Sequence, residues 1–214
     1  MSESEQEKPW TEEQWEAFMK RQDLKAARFG EILETVIDDP NRYEIIQKEM
    51  GWDSDDDDGD REHFEIPEPT EEDMEEAKRE MEESDRALEE MDAYRKSMLA
   101  AEKVDKLLKP FLKQRSDEPD DEIGEAFINP HIACAKISGG HAMGYHDDVL
   151  CANIVKNKIA LEANKKGQEA LRSLAKKGVL QPKTLEPVLK HLDTAAKSIQ
   201  TRIKDLRSKV WWSS

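Results

Sequence analysis

The spacing of apolar residues near the C-terminal end constrains this chain most. Leu185, Leu189, Leu192, Ala196, Ile199, Ile203, Leu206 and Val210 recur in alternating steps of four and three. That is the seam of a helix packed lengthwise on another helix. A strand, whose side chains alternate with period two, cannot hold such a stripe on one face. Gln181-Pro182 supplies the start, with proline at the first helical position. Upstream, Asp147-Asp148 can cap a facing helix that reaches about Lys177 and is closed by Gly178 as a left-handed cap. Leu150, Ile154, Leu161, Leu171 and Ala175 share one register there. Asn157, Asn164 and Gln168 fall in the same seam, where buried amides fix register at the expense of stability. Residues 147–210 are therefore predicted to form an antiparallel, coiled-coil-like helical hairpin.

The rest of the chain reads the same way. Thr11-Glu-Glu-Gln14 is a capping box, and Trp15, Phe18, Met19, Ala26, Phe29, Leu33, Val36 and Ile37 follow it on one helical stripe that Asp39-Pro40 ends. Asn41 with Glu44 repeats the capping pattern ahead of a short helix carrying Ile45, Ile46 and Met50, which stops at Gly51. Residues 11–50 are thus expected to form an amphipathic helical hairpin. Residues 53–69, with a run of aspartates followed by Pro67 and Pro69, read as an acidic flexible linker. A long helix is predicted from Thr70 to about Lys113, kinked or ended by Pro110, and its acidic first half is expected to project into solvent or meet basic groups. After a charged turn at 116–121, a short helix around Phe127 should give way to a second one, with Asn129 as N-cap and Pro130 at its first position. Small residues through Gly139-Gly140 and Gly144 either admit a neighbouring helix closely or mark a kink. The predicted fold is all-α, an up-down bundle of about four core helices within residues 70–210 carrying the N-terminal hairpin.

Charge separates along the chain. The formal net charge is −16, yet residues 147–214 hold 14 basic against 7 acidic residues while residues 53–92 hold 21 acids and four bases. An acidic arm and a basic hairpin can attract each other or sort partners by charge. The basic residues spread around two helices instead of forming one block, so a nucleic-acid partner is not expected. With no apolar run of about 18 residues, neither is a membrane partner. Cys134 and Cys151, the only cysteines, are expected to be free thiols in a reducing, cytoplasmic setting.

One stretch concentrates chemistry. Three of the five histidines and both cysteines lie between His131 and Cys151. His131 and Cys134, three residues apart, share a helix face, and His141 and His146 can approach across a glycine-containing bend. Imidazole and thiolate suit zinc or iron, so His131, Cys134, His141 and His146 are the candidate metal ligands, although their spacing matches no zinc-finger pattern. Glu125 precedes His131 by six and Glu186 precedes His191 by five, neither of which is the three-residue step that chelates a bridged di-metal pair. Ser54–Glu65 matches a calcium loop only in part, with Pro67 and Pro69 blocking its exit helix. Neither a phosphate loop, a nucleophile elbow nor a zincin motif occurs. The expected function is non-enzymatic protein–protein association, in which the bundle presents the acidic helix and the Trp/Phe-rich amphipathic hairpin of residues 11–50 to a protein partner, with a homo-oligomer as a further possibility. The alternative is a metal- or redox-responsive bundle using the His/Cys stretch.

Overall fold

The computed structural model describes residues 8–52, 69–113 and 121–212. The acidic linker and the charged turn of the sequence reading lie almost wholly outside these. Seven helices follow in order: α1 (Glu12–Val36), α2 (Arg42–Met50), α3 (Glu71–Glu90), α4 (Asp92–Lys113), α5 (Asp121–Met143), α6 (Asp147–Lys176) and α7 (Pro182–Arg207), with no strand among the described residues. The chain divides into two compact units, residues 13–77 and residues 1–12 with 78–214.

The larger unit is a helical bundle in which α5 packs on α6, α4 on α5 and α7, and α6 on α7. Its core joins Val104 and Leu108 of α4, Ile123 and Ala126 of α5, Leu171 and Leu174 of α6, and Leu185, Val188 and Leu192 of α7. The seam on α7 differs from the expected one. Val188 and Ala195 are buried, whereas Leu189 and Ala196 are half-buried. A stripe serving one partner helix is narrower than the face α7 needs, because α7 packs against both α4 and α6. On α6 the expected amides are indeed inside: Asn157, Asn164 and Gln168 are buried, and Asn153 joins them.

The ends of α6 follow local chemistry. Gly178 takes φ +76°, its N–H donates to Ala175 O, and the Val179 N–H reaches back to Leu174 O. This is a Schellman closure that a Cβ-bearing residue would strain. At the other end His146 holds the N-cap position without a side-chain cap bond, and Asp147 and Asp148 sit in the first turn, where the helix dipole favours them.

Two expectations are corrected, and of the two outcomes expected at Pro110, a kink or an end, the end does not occur. The helix over residues 70–113 is interrupted at Met91, whose N–H turns to Leu88 O before α4 starts. Glu89 and Glu90 oppose the negative end of α3, and Asp92 favours a new N-terminus, where it accepts from Arg95 and Lys96. Pro110 does not end α4 before Lys113. The carbonyl it leaves unpaired belongs to Lys106, and both residues are exposed to water. Pro130 likewise starts nothing: α5 is one helix from Asp121 to Met143. Asn129 is no N-cap, since its Nδ2 donates back to Glu125 O at 2.9 Å and to Glu125 Oε2 at 2.6 Å. The Pro130 ring is accommodated by Gly167 of α6, where a Cβ would lie 3.0 Å from Pro130 Cδ.

The small residues act as spacers. A Cβ on Gly140 would meet Asn153 Oδ1 at 2.9 Å, whereas one on Gly139 would meet nothing within 4 Å. Close approach of α5 and α6 is thus set at Gly140 and Gly167. Glu12 also belongs to this unit and receives a two-pronged Arg207 guanidinium, Nε and Nη2 each at 2.7 Å, with Lys158 Nζ at 3.3 Å. These cations hold the Glu12 carboxyl below its usual range, the Arg207 hydrogen bond foremost.

In the smaller unit, α1 and α2 are joined through Asp39, whose carboxylate accepts the Asn41 N–H at 2.8 Å. Asn41 stands at the N-cap of α2 but makes no side-chain cap bond, contrary to the capping pattern read from the sequence. Phe29 stacks on Trp52 with centroids 6.1 Å apart, and Arg28 donates to Glu49 O. Of the expected stripe only Met19 is buried, while Ala26 and Ile37 are exposed.

Candidate functional site

The histidines and cysteines of the sequence cluster are distributed to different partners. His131 Nε2 sits 2.8 Å from Asp105 Oδ1 on α4, and its ring lies 5.1 Å from that of Phe127. It latches α5 to α4. Cys134 and Cys151 are buried thiols that are not joined in a disulfide. Burial pushes the Cys134 thiol up to about 11, the Asp105 charge adding to the effect, so it stays protonated and weakly nucleophilic at neutral pH. His146 is exposed at the start of α6. Among the described residues no three or more His, Cys, Asp or Glu side chains are grouped to hold a metal ion.

His141 is the cluster member that joins a network. Its Nε2 lies 3.0 Å from Ser84 O and 3.1 Å from Ser84 Oγ, and its Nδ1 lies 2.6 Å from the Tyr145 hydroxyl. Arg202 Nη2 donates to that hydroxyl at 3.0 Å. The partners assign the protons. A carbonyl only accepts, so Nε2 carries hydrogen; a guanidinium only donates, so the Tyr145 O–H is directed to Nδ1. The chain of bonds runs Arg202 to Tyr145 to His141 to Ser84, tying α7, the turn after α5, α5 itself and α3 together. His141 and Tyr145 are four residues apart and could be paired from sequence. Ser84 and Arg202, each 57 residues from its partner, carry no such signal.

The second feature is α3. Thr70 and Asp73 cap it reciprocally: Asp73 Oδ2 accepts the Thr70 N–H at 2.9 Å, and Thr70 Oγ1 accepts the Asp73 N–H at 3.2 Å. From Glu71 to Glu90 every residue except Leu88 is exposed. Eleven acids against three bases give this helix a net charge of −8. Met74, Ala77, Met81 and Leu88 nevertheless recur at heptad spacing, and Met74 and Met81 are 53% and 65% exposed. Among the described residues no ion pair joins residues 78–90 of α3 to the basic helices α6 and α7.

The tryptophans at the C-terminal end divide. Trp212 is buried, while Trp211 is 66% exposed and donates from Nε1 to Asp147 Oδ2 at 2.8 Å.

No protein-family model, curated protein or solved structure matches this chain. No helix among the described residues is long and apolar enough to cross a membrane.

Proposed function

We propose that this protein acts without catalysis, by helix-mediated association, and that α3 is its contact element. The observation that carries this reading is the exposure of α3 along its whole length apart from Leu88. An isolated helix of about 20 residues is marginal in water, and one this acidic repels itself. A sustained apolar stripe on such a helix has no use in solvent, but it fits a partner groove or a partner helix. Methionine makes that stripe adaptable. The charge selects the occupant. A second copy of α3 would bring another −8 alongside, whereas a cationic amphipathic helix with an apolar seam satisfies both the methionines and the acids. Two buried thiols not joined in a disulfide suit a reducing compartment and support a cytoplasmic setting.

A synthetic amphipathic peptide with leucine at heptad spacing and lysine flanks serves as the probe for the full chain. Met74→Asn/Met81→Asn leaves the charge of α3 unchanged and is expected to weaken binding at least about tenfold, two apolar side chains that the partner would cover being lost. Glu72→Lys/Glu76→Lys/Glu83→Lys should abolish the interaction at low salt. Equal affinity for wild type and the methionine variant would reduce binding to diffuse charge attraction and refute a docking face.

A further inference from the structure

We propose that a cleft between the start of α4 and the end of α7 binds a small phosphorylated molecule, its phosphate held by Arg202 and Lys209. The cleft has a volume of about 410 Å³, within the range of sites for a single small ligand. Its cations are Lys96, Arg202 and Lys209, and hydroxyls are supplied by Tyr145, Ser198 and Thr201. Ala93 and Leu206, both buried, give it an apolar floor.

The balance of charge inside the cleft is not that of a solvated surface. Lys96 is already engaged by Asp92 at 2.7 Å, and the same carboxylate takes Arg95 at 2.5 Å. Arg202 and Lys209 are different. Neither forms an ion pair among the described residues, although Asp205 lies three residues from one and four from the other. They flank the Tyr145 ring instead, at 5.7 and 5.8 Å from its centroid. Two cations held on one aromatic ring without a counter-ion form a ready anion site, and a guanidinium fork matches phosphate oxygens.

Arg202 adds an independent sign. Its Nε is buried and has no hydrogen-bond acceptor, an arrangement that leaves the desolvation of a polar group uncompensated. A phosphate oxygen in the cleft gives that N–H an acceptor once the guanidinium turns about its stem. The turn trades away the Nη2 bond to Tyr145, so ligand binding is felt at Tyr145 and through it at His141. Asp205 is the opposing charge and limits affinity.

The test uses the full chain with pyrophosphate at low ionic strength, followed by calorimetry and by NMR of the His141 ring. One pyrophosphate per chain should bind saturably and shift the His141 resonances. Arg202→Gln is expected to weaken binding at least about tenfold, and Lys209→Gln, on an exposed side chain outside the helices, keeps the test valid if Arg202→Gln misfolds. Asp205→Asn should tighten binding about fivefold by removing one negative charge from the lining of the cleft. Lys176→Gln, at the far end of α6, should change nothing. Equal weakening in Lys176→Gln, or no saturable binding in wild type, would overturn the proposal. Sedimentation with vesicles of anionic phospholipid, lost in Arg202→Gln, would overturn the assignment to a free small molecule.

Discussion

Two adjacent glycines of α5 should respond to alanine with opposite signs. Both lie in a helix, where Gly to Ala gains about 0.5–1 kcal/mol from propensity and reduced chain entropy. At Gly139 nothing stands within 4 Å of the added Cβ, so the whole gain should appear. At Gly140 the Cβ would lie 2.9 Å from Asn153 Oδ1 and 3.2 Å from both Asn157 Nδ2 and Lys156 Cβ. Neither asparagine can yield freely. Both are wholly buried, Asn153 Nδ2 donates to Gly144 O at 3.0 Å, and Asn157 Nδ2 donates to Asn153 Oδ1 at 3.0 Å. Overpacking costs about 1–3 kcal/mol, and breaking the buried amide pair adds about 1–3 kcal/mol if Asn153 rotates away. After the propensity gain is deducted, Gly140→Ala should destabilise by up to about 2.5 kcal/mol from overpacking alone and by roughly 1–5 kcal/mol if the amide pair also breaks. Urea unfolding followed by far-UV circular dichroism reads both, as shifts in midpoint at constant slope. Adding Asn153→Ala to Gly140→Ala should recover part of the loss by making room. If both alanine variants move the midpoint the same way, α5 and α6 do not approach at Gly140 as described.

Other consequences are simpler to read. Glu12→Gln removes the receptor of the Arg207 fork and should cost about 1 kcal/mol at pH 7. Because the Glu12 carboxyl is held below its ordinary value of 4.5, that stabilisation is present above pH 4.5 and is lost as pH falls through the lowered value. Wild type and Glu12→Gln should therefore converge in stability as pH falls below 4.5 and through the lowered value, and a gap that stays constant on acidification would refute the pairing. Cys134 and Cys151, both buried, should resist a thiol reagent at pH 7.5 in the native chain and react together in urea; one fast-reacting thiol in native protein would contradict their burial.

Much of the bundle is legible because its signals are local. The Gly178 closure, the proline at the start of α7, the Thr70 start of α3 and the buried amides of α6 each depend on neighbours within one or two turns. Pro130 and Asn129 misled because the same dipeptide opens a helix or sits inside one, and the choice is made by Gly167, 37 residues away. The α7 seam shifted for a similar reason, since its register answers to two neighbours at once. The His/Cys stretch looked like a cluster because its members are near in sequence. Helix geometry sends successive residues to different faces, so His131 reaches α4, the thiols enter the core and His141 turns to Tyr145. The Arg202–Tyr145 contact, from residues far apart in the chain, left no trace in sequence.

The association reading is tested most directly by amide hydrogen exchange of the full chain, alone and with the cationic amphipathic peptide. Residues 71–87, exposed throughout, should exchange fast without the peptide, while the core positions of α6 and α7 stay protected. Addition of the peptide should slow exchange in α3 and leave α6 and α7 unchanged. Protection that appears on other helices while α3 continues to exchange fast would contradict α3 as the contact element.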